Sequence, residues 1–329
     1  MCAMTTALPE SNAQGRYRLV FWNVENLFDC IDDSCSNDDV FTPHGDNHWT
    51  YQRYRNKLNN IYKTLTAMGF DDENGFNMPL AICMAEVEND KVLRDLCNGT
   101  PLRRYGYSFV HFDSPDKRGI DNALLYRRDG YSPYLAQAVS VSDSANGFFS
   151  RDILLVEGTT SNGDTLIIIV NHFPSRLGGA EADSRRQHVA RKLRNIMDTV
   201  EEHHPCATIV VTGDFNASPD ESVIRNVLLK ESTYTNLMEK VEPGHGSYKY
   251  QDHWSCIDQI MVSRSATTPP PCCKLKAIQD GHHVFDAPFL LVDDEKYLGK
   301  KILRTYVGMK YQGGYSDHLP VYVDLEVAK

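Results

Sequence analysis

Long apolar runs are missing from this chain of 329 residues. No stretch approaches the roughly 20 consecutive apolar residues that a helix needs to cross a bilayer, so no membrane span is predicted. Residues 1–15 contain neither a basic segment nor a long apolar stretch, and an uncleaved signal peptide is therefore not expected. A cytoplasmic location is predicted, although the mature form of a secreted or periplasmic protein would look the same.

Positive charge is also scarce, since 34 Lys and Arg stand against 44 Asp and Glu, a formal net charge of −10. This balance disfavours a protein that coats nucleic acid through a broad basic surface. The negative charge does not exclude an enzyme that cleaves phosphate esters with a bound metal. Apolar residues make up 41% and charged residues 24% of the chain. These values are typical of soluble globular proteins and disfavour disordered, collagenous and coiled-coil architectures.

The cysteines do not form a recognisable metal-binding pattern. Nine cysteines leave at least one thiol unpaired, and paired C-x-x-C motifs are missing, so a structural zinc site is not expected. Cys83 and Cys206 lie in or beside apolar segments and are predicted to be small buried hydrophobic residues. The overall usage favours a reducing compartment. Two further pairs could form a disulfide or bind a metal: Cys30 with Cys35, and Cys272 with Cys273.

Short apolar segments alternate with amphipathic ones, which is typical of a mixed α/β domain. Apolar residues recur at spacings of three and four from Tyr51 to Met68 and from Val189 to Val200, and this spacing predicts two helices. A shorter helix is expected near Ser218. Eight segments are predicted to be strands: Tyr17–Trp22, Leu80–Met84, Ala123–Tyr126, Ile153–Val156, Leu166–Val170, Thr208–Thr212, Ile257–Val262 and Leu319–Leu325.

No composition shift marks a linker, and no repeat of about 20 to 50 residues is present. Residues 16–327 are therefore predicted to form a single domain, preceded by a flexible segment of residues 1–15. The proline-rich segment Thr267–Cys273 is interpreted as an excursion from that domain. We hypothesise that the longer stretch Thr267–Arg304 forms a flap over a site.

Acidic, amide and imidazole residues repeatedly stand at the ends of the predicted strands. Side chains at strand ends can converge on one rim of a sheet, where oxygen ligands can hold a cation. Any one of these residues could simply form a turn. Together, and with two histidines among them, they favour a site. They are Asn23, Glu86, His172, Asp214, Asn216, Asp258, Asp317 and His318.

Two local sequences strengthen this interpretation. GDFNASPD places Asp214 and Asn216 two residues apart after a β-branched strand, so both side chains can face the same side. The adjacent Asp317 and His318 offer a carboxylate for metal binding and an imidazole for acid–base chemistry near neutral pH. An H-E-x-x-H zinc motif is missing, which disfavours a zinc hydrolase.

The segments WNVENLFD, AEVEND, RGIDNALLY, NHFPSR, GDFN, IDQI and SDH, in this order, resemble the endonuclease/exonuclease/phosphatase superfamily, the deoxyribonuclease I-like metal-dependent phosphoesterases. The resemblance extends from about Arg18 to Leu325. The segments FTPHGDNHWTYQRYRNKL and RTYVGMKYQGGYSDHLPV are similar to a bacterial branch of that superfamily. The resemblance implies a four-layer α/β/β/α sandwich, with two mixed sheets packed face to face and helices outside.

The resemblance also implies roles for individual residues. Asp214 and Asn216 would hold or activate the attacking water, and Asp258 would orient the imidazole at the phosphate. A Mg²⁺ or Mn²⁺ ion would be bound by Asn23, Glu86 and Asp317. The catalytic set would comprise His172, Asp214, Asn216, Asp258 and His318.

Several charged residues near these motifs are ambiguous. Arg118 and Arg176 are candidate substrate-binding residues, because a guanidinium can bind two phosphate oxygens at once, but each could instead form a structural ion pair. Glu25 and Glu88 are expected at the surface or behind the site residues. Trp22 is expected in the core because it lies within an apolar strand.

The predicted reaction is hydrolysis of a phosphodiester by a metal-activated water in a single in-line step, and the leading prediction is a nuclease that acts as a monomer. The alternative is a phosphatase or phosphodiesterase that acts on a small molecule or lipid head group, of the inositol phosphate or sphingomyelin type. A non-catalytic binding module of the same fold is the remote alternative. The fold does not choose among these.

Overall fold

The computed structural model describes residues 15–33, 36–71, 75–241 and 245–328. Cys35, and with it the predicted pairing with Cys30, lies outside the described residues, as does nearly all of the predicted flexible segment 1–15. The α-helices are α1 (Tyr51–Ala67), α2 (Asp90–Gly99), α3 (Ala180–His203) and α4 (Arg264–Thr267). Short 3-10 helices are formed by Asp39–Phe41, Pro101–Tyr105, Ser144–Asn146, Leu237–Lys240 and Pro288–Leu290.

Two six-stranded sheets dominate the described part of the chain. Their strands are β1 (Arg16–Leu27), β2 (Ala81–Val87), β3 (Tyr107–His111), β4 (Asp121–Arg127), β5 (Tyr131–Val139), β6 (Ile153–Thr160), β7 (Thr165–His172), β8 (Thr208–Asp214), β9 (Thr235–Asn236), β10 (Asp258–Val262), β11 (Leu275–Val284) and β12 (Val321–Val327). Four small hairpins pair Phe70–Asp71 with Gly75–Phe76, Tyr248–Tyr250 with His253–Ser255, Leu291–Asp293 with Lys300–Ile302, and Tyr306–Val307 with Lys310–Tyr311.

The first sheet has the strand order β11-β12-β1-β2-β4-β3, and the second has the order β9-β10-β8-β7-β6-β5. Each sheet has one parallel pair at its centre, β1 with β2 and β7 with β8, and the other neighbours are antiparallel. Both sheets are therefore mixed, and the carboxyl ends of each central pair lie at one edge.

Both faces of the central strands are apolar, so other elements must pack on each face and bury it from water. Leu19 and Phe21 of β1 pack between the two sheets, together with residues such as Ile168 of β7. The intervening Val20 and Trp22 point the other way and pack with α1 and α2. Trp22 is fully buried, as predicted.

Helices cover the outer faces of the sheets. Leu58 and Ile61 of α1 belong to the core on the first sheet, and Val189 and Leu193 of α3 belong to the core on the second. Burial of each such side chain stabilises the fold by about 1.5–3 kcal/mol. The helix, sheet, sheet, helix layering confirms the predicted α/β/β/α sandwich.

Two sequence-based expectations need correction. The chain turns at Ser218, where its backbone N–H donates to Oε1 of Glu221 at 2.8 Å, and the next helix is a π-helix formed by Val223–Leu228. The stretch Thr267–Arg304 is not irregular throughout, because β11 within it is an edge strand of the first sheet, and its role as a flap stays a prediction. Its hairpin Leu291–Ile302 is held to the preceding hairpin by Lys249, whose Nζ lies 3.0 Å from Oδ2 of Asp294.

The prediction for Cys206 is wrong, because Cys206 forms a disulfide with Cys272. The bond joins the loop after α3 to the proline-rich segment. Disulfides persist mainly in oxidising compartments, so this pairing differs from the cysteine usage expected in a reducing compartment, and the location stays a prediction. Cys83 is a buried thiol, as predicted. Among the described residues, no helix has the length and apolar character to cross a membrane.

Candidate functional site

The register of the sheets places the predicted site residues at one rim. His172 and Asp214 end the parallel strands β7 and β8 and are paired with each other, and Asp258 at the start of β10 is paired with Asp214. Asn23 lies near the end of β1 in the other sheet, and its Nδ2 donates to Oδ2 of Asp214 at 3.1 Å. The two sheets therefore contribute to one site.

Both β1 and β2 depart from regular pairing at this rim. The register shifts between Asn23 and Leu27 and again between Met84 and Val87. Within these irregular stretches Glu25, Asn26 and Glu86 have positive φ of 52°, 52° and 62°. Bulges re-aim side chains, and such left-handed conformations of non-glycine residues are concentrated at functional sites.

His318 is the most firmly held of the predicted catalytic residues. Its Nδ1 lies 2.8 Å from Oδ2 of Asp258, and both side chains are buried. Its backbone carbonyl accepts from Nε1 of Trp22 at 2.9 Å, and its backbone N–H donates to Oγ of Ser316 at 3.0 Å. The ring centroid of Tyr248 lies 4.9 Å from that of His318. The imidazole is thus fixed from several sides.

Electrostatics favour the protonated form of His318. Burial lowers the pKa of its imidazole, but the carboxylates of Asp258, Asp214 and Asp317 outweigh burial and raise the pKa well above its ordinary value. The arrangement provides a buried imidazolium at neutral pH.

Asp214 stands between the two histidines. Its Oδ2 lies 3.5 Å from Nε2 of His172 and 3.8 Å from Nε2 of His318, and its Oδ1 accepts from the backbone N–H of Asn216 at 2.9 Å. Burial and the nearby Asp258 raise the pKa of Asp214 to about 7, against the opposing effects of His318 and the hydrogen bonds. A carboxylate with such a pKa can exchange a proton with water near neutrality.

His172 differs electrostatically from His318. Burial and the positive charges of Arg151 and Arg118 lower the pKa of His172 well below its ordinary value, so its imidazole is neutral. Its Nδ1 is buried without a hydrogen-bond partner. Arg151, which sequence reasoning did not single out, donates to the backbone carbonyl of His172 at 3.0 Å and pairs with Asp116.

Glu86 and Arg118 lie side by side at the end of β2. Oε2 of Glu86 accepts from the backbone N–H of Asn26 at 2.9 Å, and Oε1 lies 3.5 Å from Nη2 of Arg118. The same guanidinium donates to Oδ1 of Asn26 at 2.7 Å. About half of the Arg118 side chain is exposed. Arg118 is therefore within the site and open to a ligand.

Arg176 lies at the edge of the site on the second sheet. Its Nε donates to the backbone carbonyl of Asn216 at 2.9 Å, and its Nη2 pairs with Glu221 at 2.7 Å. The structure thus gives Arg176 a structural ion pair, while leaving the side chain about half exposed.

Asp317 belongs to a charge network that sequence reasoning did not find. Arg304 contacts both Asp317, at 2.9 Å, and Glu25, at 3.3 Å. Lys57 is fully buried behind them, where its Nζ donates to Oγ1 of Thr305 at 2.6 Å. Glu25 is buried rather than at the surface, as is Glu88.

The donor set fits a divalent cation. Burial lowers the pKa of Lys57 to about 8, and the charges of Glu25, Asp317 and Glu86 oppose this effect. Oδ1 of Asn23 accepts from the backbone N–H of Glu25 and keeps a second lone pair. Carboxylate and amide oxygens are the ligands that Mg²⁺ and Mn²⁺ prefer. Ligand atoms of Asp214, Asp258 and His318 also lie within 4.8 Å of one another.

Solved structures of similar fold span nearly the whole chain. A humanised D. rerio TDP2 carrying 14 mutations covers 95% of this chain and 99% of its own, with a TM-score of 0.60 and 16% identity. The human Nocturnin catalytic domain covers 95% of each chain, with a TM-score of 0.57 and 16% identity. A mannosyl-6-phosphatase from Bacteroides thetaiotaomicron covers 94% of this chain and 99% of its own, with a TM-score of 0.57 and 15% identity. At these identities the likeness shows the fold alone.

Among curated proteins, a chorismate synthase from Francisella tularensis subsp. novicida is 29% identical over 110 residues. The match covers 32% of this chain and only 31% of that protein, and it carries no argument about activity. A sequence model of the Endonuclease/Exonuclease/phosphatase family matches residues 18–327. The chain therefore belongs to the endonuclease/exonuclease/phosphatase family and is a metal-dependent hydrolase of phosphoester bonds.

Proposed function

We propose that this enzyme hydrolyses phosphodiester bonds in nucleic acid. The observation that carries the proposal is the position of Asp214, whose Oδ2 lies within 3.8 Å of both histidines and accepts a hydrogen bond from Asn23 of the opposite sheet. A carboxylate that can take a proton therefore stands beside one charged and one neutral imidazole. This set supports attack of water on phosphorus.

The proposed roles follow from the protonation states. Asp214 takes a proton from the attacking water, because its pKa is raised to about 7. Asn216 donates from Nδ2 to the carbonyl of Phe173 at 3.0 Å, which leaves its side-chain carbonyl oxygen to hold that water. The water oxygen bonds to phosphorus while the opposite P–O bond breaks in the same step.

The histidines act on the phosphate oxygens. The imidazolium of His318, held by Asp258, stabilises the negative charge of the transition state. Neutral His172 contributes a hydrogen bond without adding charge. Glu86, Asp317 and Asn23 would hold the divalent cation, which when bound neutralises phosphate charge and stabilises the leaving oxygen.

We further propose that residues 16–327 act as one domain and as a monomer. The support is that neither sheet alone supplies all of the site residues, whereas one chain does. Asn23 and Glu86 come from the first sheet, Asp317 lies just before its strand β12, and His172 and Asp214 come from the second sheet.

Two partly exposed guanidiniums support a polymeric substrate. Arg118 lies beside Glu86 on the first sheet, and Arg176 lies beside Asn216 on the second. Guanidiniums on both sides of the scissile bond suit a chain with successive phosphates. A D. rerio TDP2 structure of similar fold contains a single-stranded DNA product.

A small phosphate ester is the second candidate substrate. A cavity of about 280 Å³ lies between Glu25, Phe41, Asn47 and the segment 304–308. It is next to the charge network of Asp317 and could enclose a small leaving group. The mannosyl-6-phosphatase of similar fold supports this candidate.

A substrate panel tests the proposal. Plasmid DNA, single-stranded DNA, RNA, bis-p-nitrophenyl phosphate, p-nitrophenyl phosphate and inositol phosphates would each be incubated with Mg²⁺ or Mn²⁺. The nuclease proposal predicts cleavage of nucleic acid and of the diester, with loss of both in His318→Ala. Turnover of the monoesters alone would refute the nuclease proposal and favour the second candidate.

A further inference from the structure

A second group of imidazole and carboxylate side chains lies outside the candidate active site, where strands β3 and β4 meet the start of α2. His111 is the last residue of β3, and Asp121 is the first residue of β4. Asp113 follows two residues after His111, and Asp90 is the first residue of α2. The fold thus brings one residue from each of three elements together with Asp113, which lies in the loop after β3.

His111 and Asp121 are buried with unused hydrogen-bonding capacity. The His111 side chain is only 2% exposed and that of Asp121 only 5%. Nε2 of His111 lies 3.6 Å from Oδ2 of Asp121, which is longer than a hydrogen bond. Nε2 of His111 and Oδ1 of Asp121 are both buried without a hydrogen-bond partner. Such groups in a native protein normally have a partner, which includes bound ions.

The contact on the other side of the ring sets its tautomer. Nδ1 of His111 lies 3.2 Å from Oδ1 of Asp90. When Nδ1–H donates to this carboxylate, Nε2 presents its lone pair toward Asp121. Histidines that bind metals are oriented in the same way, by a carboxylate or carbonyl that accepts from the second ring nitrogen.

Asp113 brings a further carboxylate to the group. One ligand atom each of His111, Asp113 and Asp121 lie within 4.8 Å of one another. Atoms at such separations can surround one cation, since metal–nitrogen and metal–oxygen bonds to zinc are about 2.0–2.2 Å long. The Asp113 side chain is 87% exposed, so a cation can enter from solvent.

We propose that His111, Asp113 and Asp121 form a second metal site for a divalent transition cation of the Zn²⁺ type, with Asp90 orienting the imidazole. An imidazole nitrogen combined with carboxylates favours such a cation over Mg²⁺ or Ca²⁺, which prefer oxygen ligands. Three protein ligands leave a position for water. None of its residues has a catalytic role in the function proposed above.

The site would also anchor a loop of the active-site rim. Asp113 begins the loop that carries Asp116 and Arg118, which pair with Arg151 and Glu86. A cation shared by Asp113, His111 and Asp121 therefore fixes the start of that loop to the sheet.

Zinc binding tests the proposal. Chelator-stripped protein would be dialysed against a series of Zn²⁺ concentrations at pH 7.5 with excess Mg²⁺, and the amount and affinity of bound zinc would be measured in the wild type, His111→Gln, Asp113→Asn and the control His203→Gln. We expect His111→Gln to bind one equivalent fewer than the wild type and Asp113→Asn to bind that equivalent at least ten-fold more weakly, while the control is unchanged. Because Asp113 is exposed, its variant tests the site even if His111→Gln does not fold.

Diffraction locates the bound ion directly. Crystals soaked in Zn²⁺ should show an anomalous peak about 2.1 Å from Nε2 of His111. Equal zinc content and affinity in the wild type, His111→Gln and Asp113→Asn would overturn the proposal. So would a peak confined to the rim with Glu86 and His318. Either result would leave the proposed phosphodiesterase function intact, because none of its residues is altered.

Discussion

Oδ2 of Asp258 lies 2.8 Å from Nδ1 of His318, and the two side chains are buried together although 60 residues separate them in the sequence. By accepting from Nδ1, Asp258 fixes the orientation of the ring and therefore the direction in which Nε2–H points. Asp258→Asn should therefore lower kcat by roughly 10²- to 10⁴-fold, the range seen when a catalytic histidine loses its orienting carboxylate. It should change KM much less.

The pH profile distinguishes orientation from mere structural support. Loss of the carboxylate removes a major cause of the raised pKa of His318. Because protonated His318 is the active form, kcat of Asp258→Asn should fall with rising pH, and this fall should begin at a lower pH than in the wild type. Asp220→Asn, at an exposed position near the rim, is the control. A normal pH profile combined with a large loss of thermal stability would assign Asp258 a structural role only.

Glu86→Gln should remove most of the Mg²⁺-dependent activity. Its carboxylate is held by the backbone N–H of Asn26, and a neutral amide of the same size keeps the shape but loses the charge that attracts the cation. We expect a loss of at least about 10²-fold in kcat and a weaker Mg²⁺ affinity by calorimetry. Glu239→Gln, whose exposed carboxylate pairs with the exposed Arg225, is the matched control. Wild-type turnover at saturating Mg²⁺ would contradict the assignment.

The sequence predicted the central strands because they are apolar on both faces. The unpredicted strands of the two large sheets include β3, β5 and β11, which are edge strands. Their alternating or exposed residues, as in β5, form no continuous apolar run. The edge strands therefore carry a weak signal in the sequence although their pairing is regular.

The site residues could be predicted because each stands in a short motif at a strand end. The network of Lys57, Glu25 and Arg304 could not, because its members come from three distant segments and meet only through the packing of α1 on the first sheet. Tyr248 likewise reaches His318 through an isolated bridge that no local pattern indicates. Contacts of this kind depend on the tertiary fold.

Arg118→Ala should weaken substrate binding more than Arg176→Ala. Both side chains are about half exposed and both have partners, but Arg118 lies 3.5 Å from the proposed metal ligand Glu86, whereas Arg176 forms a closer ion pair with Glu221, at 2.7 Å. Because a hydrogen bond to a charged group is worth about 1.5–3 kcal/mol, KM for a diester should rise roughly 10- to 100-fold in Arg118→Ala. Arg225→Ala is the control, since Arg225 pairs with the exposed Glu239. An unchanged KM with lowered stability would leave Arg118 as a structural ion pair.

The lowered pKa of Lys57 predicts that the free energy of unfolding rises with pH. Its folded-state pKa of about 8 lies below the ordinary value of 10.5, so between these values the unfolded chain binds more protons than the folded one. The stability contribution of Lys57 is therefore lost as pH falls from 10.5 to about 8, and it is regained as pH rises through the same window. The unfolding free energy of the wild type relative to Lys57→Met should increase from pH 7.5 to pH 9.5 in urea titrations, with each pKa unit worth about 1.4 kcal/mol. A constant or falling difference would contradict the lowered pKa.

The disulfide between Cys206 and Cys272 should stabilise the fold, because it limits the conformations of the unfolded chain. It closes a loop with a sequence separation of 66 residues, for which the chain-entropy model gives about 4 kcal/mol. Cys206→Ser, Cys272→Ser and reduced wild type should therefore melt at similar temperatures, roughly 5 to 10 °C below the oxidised wild type. Cys30→Ser, which lies away from this bond, is the control. If a reductant leaves the melting temperature of the wild type unchanged, the bond either does not form in solution or does not stabilise the fold. Thiol counting of the unfolded protein separates these two outcomes, because an oxidised chain has two fewer reactive thiols than a reduced one.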